Sequence, residues 1–459
     1  GGGGGGRGGG GGVPQLFFSR RVGRQLPDGS SVPIDLGLRL TGKLNRTTIG
    51  YLNVQTRETS YIDEEIADTT QVEPETNWQA FRLQQDILSR SSIGLLATFR
   101  EPEGQPDRTS SVPVPRFAGR DYNRVLGMDA VFASSRSQHE FQFMMAKSWT
   151  DTVRASGSDW VWRVAQNWQN RWMSYNISYL DIGQNFIAQS GFVTRTDVRR
   201  VGGFVSLNPL IRKYGVRRLR PSVRGEYLAS HDQRFFDPTT WEINPFLSFE
   251  LEGGDFISLG GRRSFDTLTE TTEVAGVHFQ PGEYTYDQAT FSVFTNTSRR
   301  LAWDVFSTIG EFYGGRLMSV SGEAQYRPVD RLVLSLGLTE TRLKRPDRVG
   351  LASTEYDYNH SLIPRTRFSY SFTPNLFVTS LVQLNANKRR PGDDFHLNTV
   401  TSNFLIAYRS PFGHSFFIAF NQLSDDALST TTTFGPYDRT PLRLRDRTIV
   451  AKMAYLFNM

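Results

Sequence analysis

The chain has 459 residues, 38% of them hydrophobic and 13% aromatic, with no cysteine. That ring content excludes a disordered chain, and the missing thiols exclude disulfides, thiolate zinc sites and CxxC redox chemistry. Its 52 basic and 46 acidic residues leave a net charge of +6 in interspersed signs, not the one-sided basic patch that nucleic-acid binding requires.

In chain order, the sequence opens with GGGGGGRGGGGG, Gly1–Gly12, a run that cannot fold alone and reads as a flexible linker to something upstream. From LFFSRRVG onward, segment after segment alternates with a period of two. SDWVWRVAQNW sets Trp160, Trp162 and Val164 against Val161, Arg163 and Ala165. LAWDVFSTIG sets Leu301, Trp303 and Val305 against Ala302, Asp304 and Phe306. RLVLSLGLTE sets Leu332, Leu334, Leu336 and Leu338 against Val333, Ser335, Gly337 and Thr339, and NLFVTSLVQLNAN repeats the pattern. Helical spacing is weak throughout. No apolar run reaches the ~18–20 residues of a membrane-spanning helix.

The expected strands are joined alternately by short turns and long polar loops. Short turns are expected near residues 45, 90, 169, 253, 373 and 411, and long loops at 57–75, 101–119, 268–285, 345–358 and 426–444. That asymmetry, with strands often about ten residues long, belongs to an outer-membrane barrel and not to a soluble sandwich. The expectation is an all-β, transmembrane, antiparallel up-and-down β-barrel of about 22 strands (about 18–24), formed by residues 13–459, with both ends at the periplasmic edge. The last strand, in RDRTIVAKMAYLFNM, turns Met453, Tyr455 and Phe457 to lipid and closes on the first strand. Such a terminal aromatic strand resembles the signal read by the outer-membrane barrel assembly machinery. Lipid and lipopolysaccharide are the other expected partners. Trp168 and Trp172 flank a short turn and are expected in the periplasmic aromatic belt, Trp78 and Trp149 in the outer one.

An arginine on the lipid face costs about 2–4 kcal/mol at mid-membrane, so strand arginines should turn inward. Arg20, Arg21, Arg195, Arg199 and Arg200, with Asp197 and Asp304, are the expected charge ladder of a hydrated interior. Its simpler role is a salt-bridge lattice bracing the wall; its functional role is sorting anionic or hydroxylated solutes. Six histidines stand at no metal-ligand spacing, and no GxSxG elbow is present. No catalytic residue, metal site or cofactor is therefore expected. The acidic run Asp63, Glu64, Glu65, Asp68, Glu73 and Glu75 reads as a solvated loop in preference to a calcium site.

Three stretches together, LFFSRRVGR (Leu16–Arg24), LTGKLNRTTIGYLNVQT (Leu40–Thr56) and SRSSIGLLATFRE (Ser89–Glu101), carry a resemblance, to which GFVTRTDVRR and the ending AYLFNM add. They resemble the C-terminal barrel domain catalogued as domain of unknown function 5916 (DUF5916). The resemblance implies an outer-membrane location in a Gram-negative bacterium and an upstream module similar to family 9 carbohydrate-binding domains. The expected function is a gated or plugged, porin-like channel associated with carbohydrate binding or uptake. The alternative is a structural barrel that anchors an upstream glycan-binding module or a partner; a barrel-embedded hydrolase is third.

Overall fold

A computed structural model describes residues 13–26, 31–63, 69–104, 122–134, 138–150, 157–345, 357–410, 414–425 and 443–454. The described residues are nearly all β: 73% of them are strand, in an antiparallel up-and-down sheet of 22 strands. Among the described residues the only helical turn is the 3₁₀ turn Ser19–Arg21. Contacts divide the strands into two compact units, residues 8–206 with 224–241, and residues 207–223 with 242–459.

The first unit begins with β1 (Ile34–Leu44) and β2 (Thr47–Thr56), followed by a separate hairpin, β3 (Thr59–Asp63) and β4 (Thr69–Glu73). The meander continues with β5 (Thr76–Asp86), β6 (Ser92–Pro102), β7 (Asn123–Ala133), β8 (His139–Thr150), β9 (Trp160–Gln169) and β10 (Met173–Ile182). Next come β11 (Val198–Leu207), nearly all of it in the first unit, β12 (Leu210–Lys213), in the second, and β13 (Val216–Ala229), whose residues are divided between the two after Val223. The second unit runs through β14 (Thr240–Leu251) and β15 (Phe256–Leu268) to a separate hairpin, β16 (Thr272–Val274) and β17 (Val277–Phe279). It ends with β18 (Gly282–Phe294), β19 (Leu301–Phe312), β20 (Gly315–Val329), β21 (Leu332–Lys344), β22 (Tyr358–Ser371), β23 (Leu376–Lys388), β24 (His396–Arg409), β25 (Ser415–Asp425) and β26 (Arg443–Ala454).

Connections at one edge of the sheet are short, from residues 45–46 to the longest at 295–300. At the other edge they include 57–75, 103–122, 183–197, 269–281, 345–357 and 426–442; the tight turn 313–314 is the exception there. The turns expected near 45, 90, 169, 253, 373 and 411 all fall at the short-connection edge.

Two expectations are corrected. LFFSRRVG is not the first strand: Leu16–Arg24 holds only the 3₁₀ turn, and Gln15 makes an isolated bridge to Phe192. β12 instead continues β11 after Asn208–Pro209, and both pair with β13. Proline donates no N–H to a ladder, so the strand breaks there without reversing. One pass thus counts as two strands. Ile34 pairs with Thr56, which places the start of β1 at the long-connection edge and not at the periplasmic edge expected for both ends.

The sheet has one apolar and one polar face, with the apolar one exposed. In the second unit Leu334, Leu336 and Leu338 are 36%, 64% and 48% exposed, and their side includes Phe368, Val382, Phe404, Tyr408, Phe416, Ile418, Ile449 and Met453. The opposite side carries Ser335, Thr339, Thr341, Gln383, Asn385, Thr401, Asn403 and Asn421. Alternation along each strand produces this split because successive side chains point to opposite faces. Toward the long-connection edge the apolar side turns polar, with Glu340, Arg342 and His360 in the second unit and Asn53, Gln55 and Asn77 in the first.

Candidate functional site: two elements packed on the polar face

In the first unit, residues 13–26 and the connection 183–197 fold back over the polar face near the long-connection edge. They are tied together: Gln15 and Phe192 exchange backbone hydrogen bonds of 3.0 and 2.7 Å, and the Phe18 N–H donates to Ser190 O at 2.8 Å. Arg21 Nε donates to Gly191 O at 3.1 Å, and its guanidinium lies over the Phe192 ring. Gly191 permits this approach, since a Cβ there would stand 2.2 Å from Gln15 O. Leu16, Phe186 and Ala188 then bury against Val125, Ala146, Val161, Leu180, Ile182 and Val198 of the wall. Here apolar wall residues replace the polar ones found elsewhere on this face, because something covers them.

A buried polar lattice anchors the cover. Arg24 Nη2 donates to Glu73 Oε2 at 2.8 Å, and Arg100 Nη2 stands 3.9 Å from Glu73 Oε1. Arg100 is 1% exposed, donates to Gln189 Oε1 at 3.2 Å and lies over the Trp78 ring. Asn123 clamps the connection at two points: its Nδ2 donates to Ile187 O, and its Oδ1 accepts from the Gln189 N–H. Glu73 is therefore a buried ion-pair partner, not part of a solvated acidic loop; of that run, Glu64, Glu65 and Asp68 lie outside the described residues.

In the second unit the hairpin β16–β17, inside the expected long loop 268–285, packs on the polar face in the same way. Val277 and Phe279 are fully buried against Tyr286, Tyr313 and Leu343. Three wall side chains donate to hairpin carbonyls: Arg389 to Gly276 O, Arg345 to His278 O at 3.2 Å and Asn359 to Ala275 O at 2.7 Å. Tyr313 donates to Asp266 at 2.7 Å; burial, then that carboxylate, pushes its hydroxyl well above the ordinary tyrosine range.

The residues expected in a charge ladder are scattered. Arg200 lies on the polar face and pairs with Glu226 at 3.3 Å. Asp304 is on β19 in the second unit, across from Glu323. Arg20 and Arg195 are exposed outside the strands, and Arg21 belongs to the cover just described. Arg199, one position from Arg200, takes the opposite, apolar side, donating to Ser230 O and Gln233 O, both at 2.6 Å. Asp197 has left-handed backbone, φ 58°, just before β11. Its Oδ1 meets the His231 N–H at 3.0 Å and His231 Nδ1 at 3.0 Å, while His231 Nε2 meets Asp181 at 2.8 Å. Burial opposes charge on Asp197, but the Ser230 hydroxyl and the His231 donors outweigh it and hold the carboxyl below its usual range.

The polar ladder that does form in the first unit is Arg82 bidentate on Asp129, with Nη2 to Oδ1 at 2.9 Å, and Arg163 donating to Gln142 at 2.8 Å. Asn167 donates to Glu140 in the same lattice at 3.1 Å. The sequence signal for Arg82 was its place between Phe81 and Leu83, which assigns it to the other face.

Of the expected aromatic belts, Trp149 is 41% exposed at the long-connection edge, and Trp172, 61% exposed, sits at the short one, where Trp168 stacks with Tyr175. Trp78 departs from them. It is 7% exposed on the polar face, with its Nε1 donating to Thr56 Oγ1 at 3.2 Å, because it shares strand parity with Ala80 and Arg82. Of the expected closing signal, Met453 is 75% exposed, and Tyr455 and Phe457 lie outside the described residues. No group of His, Asp or Glu able to hold a metal ion occurs among the described residues.

No family profile matches the sequence, and no curated protein matches it. Among solved structures the chain is similar to the copper transporter OprC, at TM-score 0.40 and 10% identity, over 86% of this chain and 65% of that one. It is also similar to the ferric-catecholate import receptor Fiu of E. coli K12 in its open form, at TM-score 0.39 and 9% identity, over 90% of this chain and 78% of the receptor. The chain thus spans just under two thirds of the length of the copper transporter it matches.

Proposed function

We propose that the sheet closes into a transmembrane β-barrel of a bacterial outer membrane and serves as a gated channel for hydrophilic solutes. The observation that carries this reading is the inverted face pattern: exposed leucines and aromatics on one side, hydroxyls, amides and paired charges on the other. A soluble sheet buries its apolar face, whereas a barrel turns it to lipid and keeps the polar face for water. Outer-membrane lipid and the barrel assembly machinery are the partners that follow.

The gate is the pair of elements lying on the polar face, residues 13–26 with 183–197, and the hairpin 272–279. Barrels of 16–18 strands already enclose a water channel, so one of this size needs filling to remain tight. A polyhydroxylated solute suits the neutral part of the wall, where Ser319 meets Thr341 at 3.2 Å and Ser321 meets Thr339 at 3.0 Å. The association with a carbohydrate-binding module rests on the resemblance in the sequence.

Planar-bilayer recording tests the reading. The full chain should show small conductance, and variants that release either element should show larger steps. A protein that passes no current with both elements released is an anchor, not a channel.

A further inference from the structure

On the polar face of the second unit, near the short-connection edge, three arginines converge on one carboxylate. Glu250, 8% exposed, receives Arg220 Nη2 at 2.7 Å and has Arg217 Nη1 at 3.4 Å and Arg218 Nη1 at 4.0 Å. Strand parity explains the convergence. Arg218, Arg220 and Ser222 alternate with Leu219, Pro221 and Val223 on β13, and Glu250 shares its side of β14 with Ser248 and Phe246. Arg217 reaches in from the end of its strand. Among the described residues no other carboxylate lies within ion-pair distance of these guanidinium groups.

Donors far outnumber acceptors there. Each guanidinium carries five N–H donors, and one carboxylate offers about four lone-pair positions. The Nε of Arg218 and the Nε of Arg220 are both buried without an acceptor. Two further cations, Arg212 and Lys213, stand at the end of β12, beside the two-residue turn Tyr214–Gly215 that leads into β13.

We propose that Arg217, Arg218 and Arg220, with Arg212 and Lys213 beside them, bind a soluble phosphoryl anion. Three converging guanidinium forks offer more in-plane donor pairs than a single carboxylate ligand fills, and phosphoryl oxygens are their ordinary complement. Glu250 is the internal competitor that holds the arginines in place while the site is empty. An anionic lipid would approach from the apolar side, occupied here by Leu219 and Val223. The site stands whether or not the barrel conducts.

Calorimetric titration of the detergent-solubilised full chain with inorganic pyrophosphate at low salt tests it. Saturable binding is expected, weakened about tenfold or more in R218Q/R220Q. The exposed Arg217→Gln variant, which disturbs the fold least, should weaken binding by a smaller factor. Glu250→Gln should strengthen it, because the competing acceptor loses its charge; a purely structural Glu250 would not do so. Arg365→Gln, in the separate pair with Glu323, should leave binding unchanged. Absence of saturable binding overturns the proposal, as does equal binding in R218Q/R220Q or weaker binding in Glu250→Gln. Arginine-dependent binding of phosphatidylglycerol nanodiscs without pyrophosphate binding would also overturn it, making lipid the occupant.

Discussion

Gly127 lies directly beneath Leu16: a Cβ built on Gly127 would stand 2.6 Å from Leu16 Cδ1 and 3.1 Å from the Ala146 Cβ. The missing side chain on β7 is therefore what lets residues 13–26 seat on the wall. Gly127→Val should lift the segment. Trypsin cleavage at Arg20, Arg21 or Arg24 should accelerate at least about tenfold, the equivalent of ~1.4 kcal/mol of lost closure. Leu16→Ala should act in the same direction, since deleting a buried leucine side chain typically costs about 2–5 kcal/mol. Unchanged cleavage in both variants would show that this contact does not hold the segment.

Glu73 is the shared acceptor of Arg24 from the cover and Arg100 from the wall. Glu73→Gln removes the carboxylate that Arg24 shares with Arg100, which is 1% exposed. Breaking a buried pair from one side costs about 3–5 kcal/mol. Larger conductance steps and faster proteolysis of residues 13–26 are expected together. Adding Arg100→Gln should recover part of the closure, and a double variant worse than Glu73→Gln would count against the pairing.

The connection 230–239 should loosen in acid. Asp197 titrates below its usual value of 3.8 in the folded chain, so its contribution is present above that value and lost as pH falls through the lower, folded one. The protection of the His231 amide, which donates to Asp197, should be high at neutral pH and fall below about pH 4 once exchange is divided by its intrinsic rate at each pH. The Asp197→Asn amide should be weakly protected at both and lose the dependence. An Asp197→Asn amide as protected as the parent at pH 7 would dismiss the lock.

Leu336 and Thr339 sit on opposite faces of β21. If the apolar face meets lipid, Leu336→Arg should destabilise the vesicle-folded protein by about 2–4 kcal/mol near mid-membrane. Thr339→Arg, facing water, should cost less than about 1 kcal/mol. Urea titration in lipid vesicles measures both. Equal costs on the two faces would falsify the lipid-facing assignment.

Strand type, strand order and the alternation of short and long connections were all readable in the chain. Period two is a local property, and RLVLSLGLTE needs no partner to divide Leu334, Leu336 and Leu338 from Ser335 and Thr339. The short turns near 45, 253 and 373 were legible for the same reason: a reversal is encoded within a few residues. Parity also constrains single side chains. Arg199 and Arg200 are adjacent in a strand and so could not both face the same side, and Trp78 had to follow Arg82 onto the polar face.

The tertiary structure alone decided what the polar face carries. LFFSRRVG has the composition of a strand, yet it finds no ladder, because Gln15 and Phe18 reach the connection 183–197 instead. That choice depends on Gly191 and Gly127 leaving room on elements far away in sequence, which no local pattern can express. The charge partners were hidden likewise: Arg82 meets Asp129 47 residues away, and Arg24 meets Glu73 49 residues away. An arginine in a strand announces that it needs an acceptor. Only the register of the sheet and the path of its connections determine which one it gets.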